Sequence, residues 1–143
     1  MIAIDTKILV YAHRRDAPLH AKAQACVNEL AAGRRRWALP WPCVHEFFAV
    51  VTHPRIWRPP TAREQAIAQL EAWLASSSCT LLGETQEHFA LLSDLVRRGE
   101  VVGPMVHDAR IAAICLGHGA ELWTTDRDFS RFPSLRLHNP LVN

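Results

Sequence analysis

The chain has 143 residues, 49% of them hydrophobic and 21% charged, with a formal net charge of +2. That is one domain by length, spanning residues 1–143, able to bury roughly two thirds of its unfolded surface and too apolar for disorder. No apolar run approaches the roughly 20 residues needed to cross a bilayer, and the opening MIAID has no basic region ahead of an apolar stretch, so a soluble, cytoplasmic protein with no membrane contact is expected.

Met1–Ile4 reads as a short buried strand closed by Asp5 and Thr6. Thr6–Arg15 carries Ile8, Leu9 and Ala12 at helical spacing. Pro18 suits the first turn of a second helix that runs to Ala32 and ends at Gly33. Arg36–Leu39 is strand-like. Pro42 opens a helix to about Thr52, stopped by His53-Pro54. Thr61-Ala62-Arg63-Glu64 has the form of a capping box and predicts a helix to about Ala75. Cys79–Leu82 predicts a strand, Thr85–Arg98 a helix closed by Gly99, and Gly103-Pro104 leads into a helix ending near Gly117. Ala120–Thr124 and Leu135–His138 are the last strands.

Strands alternate with helices throughout, which predicts an α/β sandwich around a central, mainly parallel sheet. The strands are apolar without alternation, as expected when helices cover both faces. Cys26, Cys43, Cys79 and Cys115 are far apart and form no Cys-x-x-Cys pair, so reduced core residues are expected rather than a zinc set. Arginine outnumbers lysine heavily, with clusters at Arg14-Arg15, Arg34–Arg36, Arg55/Arg58 and Arg97-Arg98. If several acids gather in one pocket, the remaining surface is basic and suits a polyanion.

Four acids stand in unusual places. Asp5 follows MIAI and Asp126 follows ELWTT; at the carboxyl ends of parallel strands, both reach the edge where open α/β sheets bind ligands. Glu46 shares a helix face with Pro42, Cys43, Ala49 and Val50, and Asp108 shares one with Met105, Ile111, Ala112 and Cys115. Both are therefore expected on the sheet-packing face. The helix dipole offers each about 0.3–1 kcal/mol, against several kcal/mol for burying an unpaired carboxylate. Three compensations remain open: mutual protonation, pairing with Arg110 or Arg127, or a bound Mg²⁺ or Mn²⁺, which prefers oxygen ligands. Taken singly, Asp5 reads as a cap, Glu46 and Asp108 as buried ion pairs and Asp126 as a turn. Taken together, they favour the metal.

Carboxylate-held metals suit phosphodiester hydrolysis, with one acid able to accept the proton of a water. Thr6 and Thr125 flank two of the acids and are placed to orient water, although Thr6 also suits a cap. Phe129 and Phe132 are expected to anchor the turn after Asp126, with Arg127 turned away or gripping phosphate. The chain holds no G-x-G-x-x-G, P-loop or G-x-S-x-G sequence. A phosphoacceptor domain would need an Asp after a central strand and a Lys after a later one; the second and third strands end in Leu39-Pro40 and Leu82-Gly83, and the only lysines are Lys7 and Lys22.

The stretches MIAIDTKILVYA, VHEFFAVVTHPRIW, VHDARIAAICLGHG and LWTTDRDFSRFP, in this order, resemble the PIN-domain VapC toxins of VapBC-type toxin–antitoxin systems, over Ile2 to Pro140. The resemblance implies a PIN-like three-layer α/β/α sandwich with a five-stranded parallel sheet. It also implies an Mg²⁺- or Mn²⁺-dependent endoribonuclease whose acids map to Asp5, Glu46, Asp108 and Asp126, with Asp128 joining a second metal indirectly. It implies as partners an RNA substrate, a second copy in a homodimer, and a VapB-like antitoxin whose C-terminal segment blocks the acidic groove. Leu70, Trp73 and Leu74 are available for such contacts or for the core. The competing class is a non-catalytic PIN-like module that binds RNA or protein with its acids paired internally.

Overall fold

The computed structural model describes residues 1–142. Five strands form one all-parallel sheet: β1 (Ile2–Ile4), β2 (Trp37–Pro40), β3 (Cys79–Leu82), β4 (Glu121–Trp123) and β5 (Leu137–His138). Their spatial order is β3-β2-β1-β4-β5. Six helices connect them: α1 (Thr6–His13), α2 (His20–Ala32), α3 (Trp41–Val51), α4 (Arg63–Leu74), α5 (His88–Arg98) and α6 (Val106–Gly117). They fall in pairs, one pair in each of the three crossovers from β1 to β4, and give a three-layer α/β/α sandwich.

Ile2, Ala3, Ile4, Trp37, Ala38 and Leu39 are all fully buried. Consecutive residues of a strand face opposite ways, so the central strands are covered on both sides. Phe47, Phe129 and Phe132 fill the same core, each aromatic removing about 150–250 Å² from water. The two phenylalanines after Asp126 do anchor that turn, with exposures of 1% each.

The strand order carries the main consequence for function. From β1 the chain winds outward through β2 and β3, then returns across the sheet to β4 on the other side of β1. The switch point therefore lies between the carboxyl ends of β1 and β4, where such sheets open a crevice. The two strands pair with Ile4 opposite Trp123, and the Asp5 amide donates to the Trp123 carbonyl at 3.0 Å. Asp5 and Thr124 thus leave the sheet side by side.

Several local expectations are corrected. Helix α2 begins at His20, and Leu19 at its cap takes φ 61°, so Pro18 belongs to the preceding turn. The capping box does not form: Ala62 is the cap residue of α4 and makes no side-chain cap. Thr61 Oγ1 instead meets His13 Nε2 at 3.1 Å and accepts from an Arg14 guanidinium nitrogen at 3.2 Å. A tertiary contact has outbid a local one. Helix α5 starts at His88 rather than Thr85, β4 stops at Trp123, and β5 shortens to Leu137–His138. Gly103–Met105 is a separate 3-10 turn ahead of α6. Leu70 and Trp73 belong to the core, while Leu74 is 36% exposed. The described residues hold no helix long and apolar enough to cross a membrane.

Candidate metal and active site

Asp5 caps α1. Its Oδ1 accepts from the Thr6 amide at 2.8 Å, and the Cys43 thiol donates to the same oxygen at 3.8 Å. Its Oδ2 accepts from Thr124 Oγ1 at 2.6 Å. Asp5 is only 6% exposed. Burial pushes its pKa up, the bonds from Thr124 and Thr6 pull it down, and the charges of Glu46 and Asp126 raise it again.

Asp126 comes three residues after β4. Thr124 Oγ1 accepts from the Asp126 amide at 3.0 Å, so one buried hydroxyl ties Asp5 to the Asp126 backbone. Asp126 Oδ1 accepts from the Asp128 amide at 2.9 Å, capping the 3-10 turn Arg127–Arg131. The cap and turn roles suggested for Asp5 and Asp126 are thus present together with their place at the crevice.

Asp108 lies in the first turn of α6. Its carboxyl is pushed up to about 6, by burial first and then by the charges of Asp126, Asp5, Asp128 and Glu46. All five sequence-selected acids are therefore electrostatic neighbours. The tightest group among the described residues is Asp108, Asp126 and Asp128, one carboxylate oxygen of each lying within 4.8 Å of the others. Asp128 is more central than the sequence suggested, and Asp5 and Glu46 flank the group.

Glu46 departs from expectation. It projects from α3 to the surface rather than toward the sheet, and its Oε2 accepts from Thr6 Oγ1 at 3.0 Å. Cys43 and Phe47 take the buried positions of that helix. A face shared at i±3 and i±4 spans a wide arc, and Glu46 falls at its edge. Thr6 serves as a bridge to Glu46, and Asp5 is the cap. Sequence reading overlooked Thr124 in favour of Thr125. The available signal was position: counting on from β4, Thr124 falls on the same face as Leu122, which is fully buried.

Internal pairing does not neutralise these charges. Arg110 forks onto Glu84 Oε1 through Nε at 2.9 Å and a terminal nitrogen at 2.7 Å. The other ion pairs among the described residues are Arg14–Asp16 and Arg98–Asp94. Five carboxylates with no basic partner, two of them held above their usual range, form a hard-oxygen donor set. That set fits Mg²⁺ or Mn²⁺ and not a metal preferring sulfur or imidazole. Beside it lies a cavity of about 410 Å³ that Glu46 and Asp108 help to line. Larger cavities, of about 570 and 660 Å³, are lined by none of the five acids.

The PIN domain family model matches residues 2–135. Ribonuclease VapC48 of Mycobacterium tuberculosis is 31% identical over 137 residues, covering 95% of this chain and 94% of that protein. Ribonuclease VapC43 of the same organism is 32% identical over 141 residues, covering 99% and 96%. Among solved structures, VapBC2 from Rickettsia felis bound to a promoter DNA fragment superposes with a TM-score of 0.68 at 23% identity, over 97% of this chain and 98% of that one. FitAB bound to an IR36 DNA fragment gives 0.72 at 16%, over 100% and 97%. The structural likenesses bear on the fold, and the family match and the closer sequence likenesses on descent. With its acids gathered at the β1–β4 crevice, the chain belongs to the PIN-domain family and, within it, to the VapC toxins.

Proposed function

We propose that the protein is a Mg²⁺- or Mn²⁺-dependent endoribonuclease, the toxin of a type II toxin–antitoxin pair. The observation that carries this reading is the gathering of Asp5, Glu46, Asp108, Asp126 and Asp128 without a basic partner. Asp108, Asp126 and Asp128 are the group to hold the ion, with Asp5 beside them. When bound, such an ion acidifies water and neutralises phosphate charge.

The chain's own residues supply the rest. Thr124 fixes Asp5 and the Asp126 backbone in one orientation. Thr6 steadies Glu46 through its hydroxyl. Glu46 is exposed and flanks the cluster, which suits it to accept a proton from the attacking water. The fully buried Cys43 and Cys115 have thiols pushed up in pKa by burial and then by the charge of Asp5, Cys115 to about 12, so they stay neutral beside that carboxylate.

The relatives VapC48 and VapC43 are named as ribonucleases, and RNA is a polyanion that the arginine clusters suit. Several structural neighbours are complexes in which VapC pairs with VapB, which supports a VapB-like antitoxin as partner. A homodimer and a cytoplasmic setting belong to the same reading.

The test is RNA cleavage by purified protein with Mg²⁺, with Mn²⁺ and with EDTA, alongside Asp5→Asn. Cleavage lost both in EDTA and in the variant is expected. RNA binding that Asp5→Asn leaves unchanged, with no cleavage of any RNA tried, would instead identify a non-catalytic binding module.

A further inference from the structure

A cavity of about 570 Å³ lies between α2 and the ends of β4 and β5, and none of the five acids lines it. Trp123 is the last residue of β4 and points to the opposite face of the sheet from Leu122, away from the side on which Thr124 meets Asp5. Beside it in the lining stands His138 of β5. The two rings lie 5.2 Å apart, inclined by 68°. The indole Nε1 donates to Glu121 Oε1 at 2.6 Å. The polar edge of the ring is therefore satisfied, and what it offers an occupant is apolar, polarisable surface.

Charge surrounds these rings. Lys22, Arg34 and Arg35 reach the cavity from α2 and the turn that follows it. All three are exposed, and none belongs to an ion pair among the described residues. Glu29 is the single carboxylate of the lining. A purely apolar ligand would leave three cations unused, and a bare inorganic anion would leave both rings unused. A ligand that joins an aromatic ring to a phosphate uses both, by stacking on the aromatic side chains and by accepting from the arginine forks. The volume of about 570 Å³ falls in the range of small-ligand sites, roughly 300–1,000 Å³.

We propose that this cavity is a binding site for a nucleoside phosphate, with the base against Trp123 and His138 and the phosphate toward Lys22, Arg34 and Arg35. The recognised chemistry is the same whether the nucleotide is free or forms the 5′-phosphorylated end of an RNA strand. The site needs no metal ion and does not depend on the nuclease reading above.

The experiment is calorimetric titration of the full chain in EDTA, where no ion can hold a phosphate at the acids. The probes are the four nucleoside 5′-monophosphates, their nucleosides and ribose 5-phosphate. The tightest nucleotide is expected to bind about three- to thirty-fold better than its nucleoside, the range for a few exposed charge pairs. It is expected to bind roughly five- to hundred-fold better than ribose 5-phosphate, the range for stacking of one base. Arg34→Gln combined with Arg35→Gln should remove most of the first margin and keep the second. Ala25→Trp fills the cavity from an exposed helix position and should abolish nucleotide binding. Both variants should keep the wild-type thermal midpoint, since the altered positions are exposed. Absence of binding by all four nucleotides overturns the proposal, as does undiminished binding in Ala25→Trp. Equal affinity for nucleotide and ribose 5-phosphate also overturns it, by reducing the site to a basic surface. A 5′-phosphorylated RNA trinucleotide titrated into the nucleotide complex separates the two sources: displacement assigns the site to a strand end, and retention assigns it to a free nucleotide.

Discussion

Thr124 Oγ1 donates a 2.6 Å hydrogen bond to Asp5 Oδ2 across 119 positions of sequence, and the same oxygen accepts from the Asp126 amide at 3.0 Å. One hydroxyl, 5% exposed, therefore uses its donor on a carboxylate and its acceptor on the backbone of the next acid. Thr124→Val keeps the shape and removes both bonds. Leaving buried polar groups unpaired costs about 1–3 kcal/mol, and losing the orienting partner of a metal ligand weakens metal affinity about 10- to 100-fold. Urea unfolding and a calorimetric Mn²⁺ titration should show both losses, with Thr124→Ser near wild type. Mn²⁺ affinity within twofold of wild type in Thr124→Val would remove Thr124 from the site.

Asp108 gives a pH signature. Its folded pKa, about 6, lies above the ordinary carboxylate value of 3.8. Between those values the folded state binds more protons than the unfolded one, so the contribution of Asp108 to stability falls as pH rises from about 4 to about 6 and is flat above. Asp5 acts in the same direction. Glu84, held below its usual range by the Arg110 fork, acts oppositely, so the wild-type curve alone is not diagnostic. The difference between Asp108→Asn and wild type is. In EDTA the variant should be the more stable protein, by a margin that grows from pH 4 to 6. In saturating Mn²⁺ the order should reverse, because the wild type gains more from the ion. A margin independent of both pH and Mn²⁺ would contradict the crowding of these acids.

Much of this site was legible in the chain because its parts obey local rules. An apolar run that stops at an acid marks a strand end, and Asp5 and Asp126 were found that way. Asp108 sits among apolar helix positions and is indeed half-buried. Glu46 was found by the same argument although it lies at the surface, since helical periodicity marks a face without fixing where its edge falls. Contacts between distant segments were not legible. Nothing near Thr124 in sequence announces Asp5. Arg110 stood beside Asp108 as a ready partner, yet Glu84, 26 positions away, takes its guanidinium. Asp128 entered through family likeness alone, because a residue in a polar turn carries no periodic signal.

Gly117, the last residue of α6, tests packing away from the site. A Cβ there would meet Thr85 Oγ1 at 2.8 Å and Thr85 Cγ2 at 3.0 Å. The Thr85 hydroxyl is also buried without a hydrogen-bond partner among the described residues. Gly117→Ala should therefore destabilise by about 1–3 kcal/mol, as overpacking does, even though alanine is the better helix former. Adding Thr85→Ala should restore most of the loss by clearing the same space. A double-mutant cycle from chemical denaturation reads the coupling directly, and additive effects would show that the two side chains do not compete.

The segment Thr61–Glu64 separates a local from a tertiary explanation of one sequence pattern. As a capping box, it would lose stability through either end residue, by about 1 kcal/mol each. The structure instead places Thr61 Oγ1 between His13 and Arg14, with His13 Nδ1 held by Gln69 Oε1 at 3.0 Å and the Arg14 guanidinium over the Trp57 ring at 4.8 Å. The Thr61 amide donates to the Val51 carbonyl at 2.8 Å. The residue thus pins the connection between α3 and α4 to the end of α1. Thr61→Val should cost about 1 kcal/mol through the hydrogen bonds lost to the partly buried His13 and Arg14, whereas Glu64→Ala should change stability by less than about 0.5 kcal/mol, as an exposed substitution does. Equal losses from the two variants, measured by urea unfolding, would restore the capping box and displace the tertiary account.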